Sequence, residues 1–333
     1  MEIALCHPAP DAFRYAPLLG CRLGYLDISW AIIQPEPDVF DFSYYDPIVA
    51  EAAQSGLTLT AMVSSQRGIR YFPDGHWIWE NSRGMMPDPA AWSRFLAVVV
   101  ERYRQVIRFW EVWSEPNCLD CNPMSYYDPL LYREFLALAS RTIRGADPTA
   151  KVVLGGIWLN HLLQDYVEAL LAGGEALQYF DILSWHFFLL AGHRKHLSFA
   201  VWKDPLSRLM DFFRKQLPQD YPIWITEFGL PTTADPADLL HTSTLGEILG
   251  LTEEEQADWF SQFAEIAERE WDIGVLVWLM LADTETSAEA EHFSSNLGLL
   301  RADRTEKPVA ARIAQLQARQ RARRTGKEIA QGP

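Results

Sequence analysis

Short apolar runs alternate with segments of helical periodicity from one end of this chain to the other. Eight of the runs read as buried strands, at 2–6, 22–28, 57–63, 106–113, 151–155, 180–185, 222–226 and 275–281. Helical patterns occupy 45–55, 89–103, 129–144, 166–171, 253–270 and 308–320. Runs this uniformly apolar suit strands covered on both faces, as in a parallel sheet whose crossovers are helices. The local signals agree: Gly56 stops one helix, and Thr252 with Glu255 forms a capping box at the start of another. Eight such units favour a closed (β/α)8 barrel. An open doubly wound sheet lacks support, because no glycine-rich phosphate turn follows the first strand. A length of 333 residues suits one barrel of this kind, and no linker or composition break interrupts it. The expected architecture is α/β, a single (β/α)8 barrel over 1–318, followed by a basic and flexible tail over 319–333.

Charge and cysteine usage narrow the setting. The formal net charge is −15, and residues 301–333 hold nine Lys/Arg against three Asp/Glu, so the remainder is more acidic still. Such a body argues against a nucleic-acid partner. The basic stretch Arg319–Lys327 reads as a solvated tail. The first eight residues lack the basic and apolar stretches of a signal peptide, and no run of about 18 apolar residues exists to cross a membrane. Four cysteines, Cys6, Cys21, Cys118 and Cys121, are read as free thiols in a cytoplasmic protein. Cys118-Leu-Asp-Cys121 has no second pair to complete a zinc site, so neither metal nor cofactor is expected. Oligomeric state leaves no mark in the sequence.

Two acidic residues end apolar strands. Glu115 closes the run 106–114 and Glu227 closes 222–226, 112 positions later. A buried carboxylate costs several kcal/mol unless it is paired or put to use. In a (β/α)8 barrel the chemistry sits on the loops after the strands' C-terminal ends. His7, Trp30, Trp158, His186 and Asp283 fall at that rim too, and four long connections (64–88, 187–204, 230–251 and 282–296) join it. Two carboxyls facing one cleft supply what glycoside hydrolysis needs, one to protonate the leaving oxygen and one to attack the anomeric carbon. Thirteen tryptophans add aromatic faces able to stack on sugars, although packing accounts for most of them.

Trp110-Glu-Val-Trp-Ser-Glu-Pro-Asn117 resembles the Trp-x-x-Trp-Asn-Glu-Pro-Asn segment on strand four of the clan of retaining (β/α)8 glycoside hydrolases. Ile225-Thr-Glu-Phe-Gly229 resembles the nucleophile segment on their strand seven. Trp30 with Gln34-Pro-Glu-Pro and Phe42-Ser-Tyr-Tyr-Asp46, Ser184-Trp-His-Phe-Phe188, Trp278, and Leu297-Gly-Leu-Leu with Lys307-Pro308 extend the likeness over nearly the whole chain. Within the clan, the family of β-xylosidases and α-L-iduronidases is most similar.

The resemblance implies Glu115 as general acid/base and Glu227 as nucleophile. It implies Trp30, Ser114, Asn117, His186 and Trp278 as substrate-binding residues, with an oligosaccharide or glycoside as substrate; His7, at the end of the first strand, is a further candidate for a sugar contact. Three departures stand out. Ser114 replaces an Asn that bonds the sugar 2-hydroxyl, Phe188 replaces a Tyr, and Tyr25 stands where an Arg would hold the nucleophile's charge. They favour, as the alternative, a catalytically weak or inactive carbohydrate-binding barrel. Glu111, two residues before Trp113, is expected inside the barrel beside a buried partner such as an arginine. Trp113 or another rim aromatic is expected to wall the acid.

Overall fold

The computed structural model describes residues 1–6, 12–36, 38–64, 68–71, 77–80, 88–118, 128–189, 198–232, 250–284 and 296–331; of 68–71, 77–80 and 324–331 it describes the backbone alone. In chain order the elements are β1 (Glu2–Cys6), α1 (Ala12–Tyr15), β2 (Leu23–Ser29), α2 (Trp30–Ile33), α3 (Tyr45–Gln54), β3 (Thr58–Ser64), β4 (Gly68–Tyr71), β5 (Trp77–Glu80), α4 (Pro89–Tyr103) and β6 (Ile107–Ser114). There follow α5 (Pro129–Ala146), β7 (Lys151–Trp158), α6 (Leu163–Leu171), β8 (Leu183–Phe188), α7 (Phe199–Gln216), β9 (Ile223–Gly229), α8 (Glu253–Arg269), β10 (Ile273–Trp278) and α9 (Pro308–Gln331). Strands β1, β2, β3, β6, β7, β8, β9 and β10 close into a parallel barrel, and β4 and β5 form a separate antiparallel ribbon. The (β/α)8 barrel expected from the alternation is the observed fold.

The helices begin where the chain supplies caps. Asp88 accepts a hydrogen bond from Ala91 N–H with Pro89 following it, and Asp128 accepts from Leu130 and Leu131 N–H ahead of Pro129. An N-cap of this kind contributes about 1 kcal/mol, and proline at the first helical position costs no hydrogen bond. Thr252 and Glu255 form the expected reciprocal box. Helix α7 and the β4–β5 ribbon lie in or overlap connections that the sequence presents as long loops. Helix α9 continues to Gln331, past the expected stop at 320.

By compactness the chain divides into two units, cut inside β2, β8, α7 and β9. One comprises Met1–Gly24, Phe188–Asp211 and Glu227–Pro333; the other comprises Tyr25–Phe187 and Phe212–Thr226. In the first, β1 pairs with β10 from Glu2↔Val275 to Leu5↔Trp278. Its core is aromatic: Phe228 packs on Trp259, Phe263 and Trp278, and Phe263 stacks on Trp259 at 5.5 Å. In the second, β3, β6 and β7 run side by side. Helices α4 and α5 cover them through Trp92, Phe95 and Phe135. Each fully buried ring contributes about 1.5–3 kcal/mol by leaving water, and favourable ring pairs add about 0.5–1.5 kcal/mol.

One expectation is corrected here. Cys118 is disulfide-bonded, while Cys6 and Cys21 are buried thiols outside any disulfide. The four cysteines are therefore not all thiols, and they carry no argument for a reducing compartment. Cys121 lies outside the described residues. Among those residues no helix is long and apolar enough to cross a membrane.

Candidate active site

Inside the second unit the barrel interior is layered. Phe109 of β6 meets Trp224 of β9 with ring centroids 4.8 Å apart. One layer up in each strand, Glu111 meets Thr226, whose hydroxyl donates to the Glu111 carboxylate at 3.1 Å. Two further donors complete the coordination of this fully buried glutamate: Gly156 N–H at 2.8 Å and the Tyr25 hydroxyl at 3.2 Å. A carboxylate with several donors escapes most of the burial cost. Glu111 is thus an interior residue, as its parity predicts. Its donors are neutral, where an arginine was the expected kind of partner.

Beyond Glu111 the strand breaks its own alternation. Trp113 has φ 75° and Glu115 has φ 47°, both in the left-handed region that bulky residues avoid. Such positions cost about 1–3 kcal/mol each and persist only where surrounding structure over-determines them. Here it does. The Trp113 ring is turned outward and locked between Trp92 at 5.9 Å and Phe135 at 5.3 Å. Glu115 N–H donates to the Gly156 carbonyl at 3.1 Å, and the Glu115 carbonyl accepts from Cys118 N–H at 3.0 Å. Trp113 therefore packs into the helix layer and does not wall the acid. In exchange, Glu115 ends β6 with its side chain partly exposed.

His186 of β8 connects these two glutamates. Its Nδ1 lies 3.0 Å from Glu115 Oε1, and its Nε2 lies 3.7 Å from Glu111 Oε1. The ring is fully buried and rests against Gly156, where even a Cβ would come within 1.8 Å of Nε2. A glycine is the residue that admits the imidazole here. Gly155 next to it serves a different neighbour, since a Cβ there would meet the Val112 carbonyl at 2.6 Å. The Tyr132 hydroxyl uses that narrow space, accepting from Gly155 N–H and donating to the Val112 carbonyl, both at 2.8 Å.

Asp27 is a residue the sequence reading missed. It stands two positions after Tyr25 in β2, hence on the same inner face. Its carboxylate accepts from the Ser64 hydroxyl at the end of β3 at 3.4 Å. The residue is exposed, yet enclosure by protein pushes its carboxyl up to about 6, the Ser64 bond opposing and the Glu111 charge adding. Exposure and an upward shift coexist on an inner wall, where a side chain touches water and is still ringed by protein. The run Leu23–Ser29 is otherwise mostly apolar, and a lone aspartate inside it was the available signal.

The other expected site residues have structural employment. Asn117 is buried and exchanges two 2.8 Å hydrogen bonds with the Trp158 backbone, which ties the segment after β6 to the end of β7. Trp30 is fully buried against Trp92 and Phe95, with its indole N–H donated to Gln34. Trp278 is likewise buried, packed on Phe228 and Phe260 and donating to the Leu297 carbonyl. Fully covered rings offer no face to a sugar, so these two tryptophans are core residues. Trp185 follows the same pattern against Phe187 and Phe213. Ser114 is half-buried, opposite Gly156 in the β6–β7 register. His7 and Glu285 lie outside the described residues, as do the side chains of Trp77 and Trp79.

In the first unit, Glu227 follows Thr226 directly in β9 and is half-buried. Phe228 beyond it faces α8. The in–out order thus changes between Thr226 and Phe228, much as it does between Glu111 and Trp113. Asp283 forms an ion pair with Lys307 at 2.6 Å, Lys307 also donates to Thr232, and Asp283 accepts from Gly298 N–H. That aspartate is a structural anchor instead of a sugar contact.

No protein-family model matches the chain, and no curated protein sequence matches it. Solved structures do match in fold. A family 39 glycoside hydrolase from Bacteroides cellulosilyticus WH2 superposes with a TM-score of 0.65 at 18% identity, covering 95% of this chain and 63% of its own. A monomeric β-xylosidase from Caulobacter crescentus CB15 gives 0.67 at 16% identity, with 96% of this chain and 67% of its own covered. Xylanase 10B from Thermotoga maritima gives 0.61 at 13% identity, covering 96% and 95%. The chain therefore spans under two thirds of the Bacteroides protein and nearly all of the Thermotoga one. What these likenesses share with the protein is the barrel fold, the one on which its glutamate motifs resemble those of retaining glycosidases.

Proposed function

We propose that the protein is a glycoside hydrolase that cleaves a short β-linked oligosaccharide or a glycoside with retention of anomeric configuration. The observation that carries this reading is Glu115, held in left-handed backbone at the end of β6 with His186 Nδ1 at 3.0 Å from its carboxylate. A strained, partly exposed acid braced by a buried polar network is costly to build, and strain of this kind clusters at functional sites. The barrel's fold neighbours, a family 39 glycoside hydrolase, a β-xylosidase and a xylanase, add support.

In this reading Glu115 protonates the departing oxygen while Glu227 attacks the anomeric carbon to form a glycosyl-enzyme. Glu115 then takes a proton from water, which attacks that carbon and releases the sugar and Glu227. His186, donating from Nδ1, aims Glu115 and steadies its ionised form after the first proton transfer. Retention requires the two carboxyls about 5–5.5 Å apart.

Glu227→Ala tests the assignment. Turnover of an activated aryl glycoside should fall by several orders of magnitude and return on addition of azide, giving a glycosyl azide of opposite anomer. Full activity in that variant would refute the proposal. The Tyr25 hydroxyl on Glu111, at a position where the motif has a cation, favours the second reading, a carbohydrate-binding barrel with weak or no chemistry. A fluorosugar that labels covalent nucleophiles separates the two: stoichiometric mass gain on Glu227 ends the second reading.

A further inference from the structure

Asp27 is an inward-facing carboxylate of β2 for which the mechanism has no use. Glu111 is saturated by Tyr25, Gly156 and Thr226, and Glu115 is held by His186. Asp27, by contrast, is exposed and has one hydrogen bond among the described residues, a long one of 3.4 Å from Ser64. Its strand neighbour Tyr25 reaches Glu111, so the face that Asp27 shares is the one that looks into the barrel. Strands β2, β3 and β6 therefore bring one unsaturated acceptor pair and one acid, Asp27 and Glu115, to the same mouth. Among the described residues, the titratable groups coupled to Asp27 are Glu111 of β6 and Tyr45 of α3, and neither brings a positive charge.

We propose that Asp27 is a substrate-recognition residue, accepting hydrogen bonds from hydroxyls of the bound sugar and rejecting sugars that carry a carboxylate. The inference rests on the glycosidase reading and names its substrate class: neutral glycosides, not uronides. An ionised carboxylate accepts up to about four hydrogen bonds, which matches a vicinal diol. Facing a sugar carboxylate it supplies repulsion and an unpaired charge, the device by which a site excludes a near-isostere. The resemblance spans β-xylosidases and α-L-iduronidases, whose sugars differ by such a group. Asp27 places this chain on the neutral side.

The test compares wild type with Asp27→Asn, which keeps shape and removes charge. Binding of xylose and of glucuronate is measured by saturation-transfer NMR and calorimetry, alongside kcat and KM for the 4-nitrophenyl β-xyloside and β-glucuronide. Wild type should favour the neutral member of each pair. In Asp27→Asn that preference should narrow roughly tenfold or more, through KM and binding instead of kcat. In wild type the preference should also narrow as pH falls through about 6, where Asp27 takes up its proton, and in Asp27→Asn it should not. An unchanged preference in the variant, equal binding of both sugars by wild type, or binding of neither overturns the inference. Sugar binding with the expected preference but no turnover sinks the glycosidase reading and leaves the recognition role standing.

Discussion

Replacing Gly156 by alanine tests the linkage between barrel packing and the candidate acid. The added Cβ would lie 1.8 Å from His186 Nε2, 2.2 Å from Cδ2 and 2.7 Å from Cε1, against ordinary contacts of 3.4–4 Å. The imidazole must therefore retreat by roughly 1.6 Å, the shortfall of the closest contact. It is fully buried, and interiors packed to crystal density hold no space of that size, so neighbouring side chains must move as well. Overpacking of this kind costs about 1–3 kcal/mol. A retreat of that size also carries Nδ1 off Glu115, from which it is now 3.0 Å away. Misplacing a catalytic group by about 1 Å costs on the order of a hundredfold in rate. Urea unfolding followed by tryptophan fluorescence measures the first effect, aryl glycoside hydrolysis the second, and the 15N resonances of His186 report its bonding directly. Gly155→Ala is the control: its Cβ would strain the Val112 carbonyl and the Tyr132 hydroxyl instead, so it should destabilise without first disturbing His186. A Gly156→Ala protein with wild-type stability and unaltered His186 resonances would show that glycine is not what seats the imidazole.

Three further outcomes are expected. Lys307→Met leaves the half-buried Asp283 without its cation and should lower unfolding free energy by about 3 kcal/mol, seen as an early denaturation midpoint; a change under about 1 kcal/mol would mean that water replaces the ammonium. Thr252→Ala removes half of the capping box of α8 and should cost about 1 kcal/mol, and a double substitution with Glu255→Ala should cost less than the sum of the singles. Because the Asp27 carboxyl is raised to about 6, the folded state holds more protons than the unfolded one between the ordinary aspartate range and that value. The group therefore removes stability as pH climbs through the window. Asp27→Asn should gain stability relative to wild type near pH 7 and lose that advantage near pH 4, and urea titrations that show no pH-dependent difference would contradict the enclosure argument.

The barrel was legible because its signals are local. A strand covered on both faces has to be apolar along its length, and each capped helix carries its own Asp-Pro or Thr-x-x-Glu signature. Helix α7 escaped because its first turns, from Phe199, follow a polar segment and it carries Pro205 inside, a residue that normally marks a helix start or break. Of the site, sequence alone supplied the glutamates at strand ends, His186 after the sixth apolar run and the parity of Glu111.

Tertiary structure decided the rest, and the reason is directional. Residue spacing tells which side of a regular strand a group shares, but Trp113 and Glu115 leave the regular backbone, and past that point parity no longer predicts a face. That departure sends one tryptophan outward and leaves the acid partly open. It is likewise only in three dimensions that Trp30 and Trp278 find their aromatic neighbours and become core, while Asp27, unremarked in its strand, is left facing water inside the mouth. Burial is a property of everything that surrounds a side chain, and most of what surrounds these arrives from far along the chain.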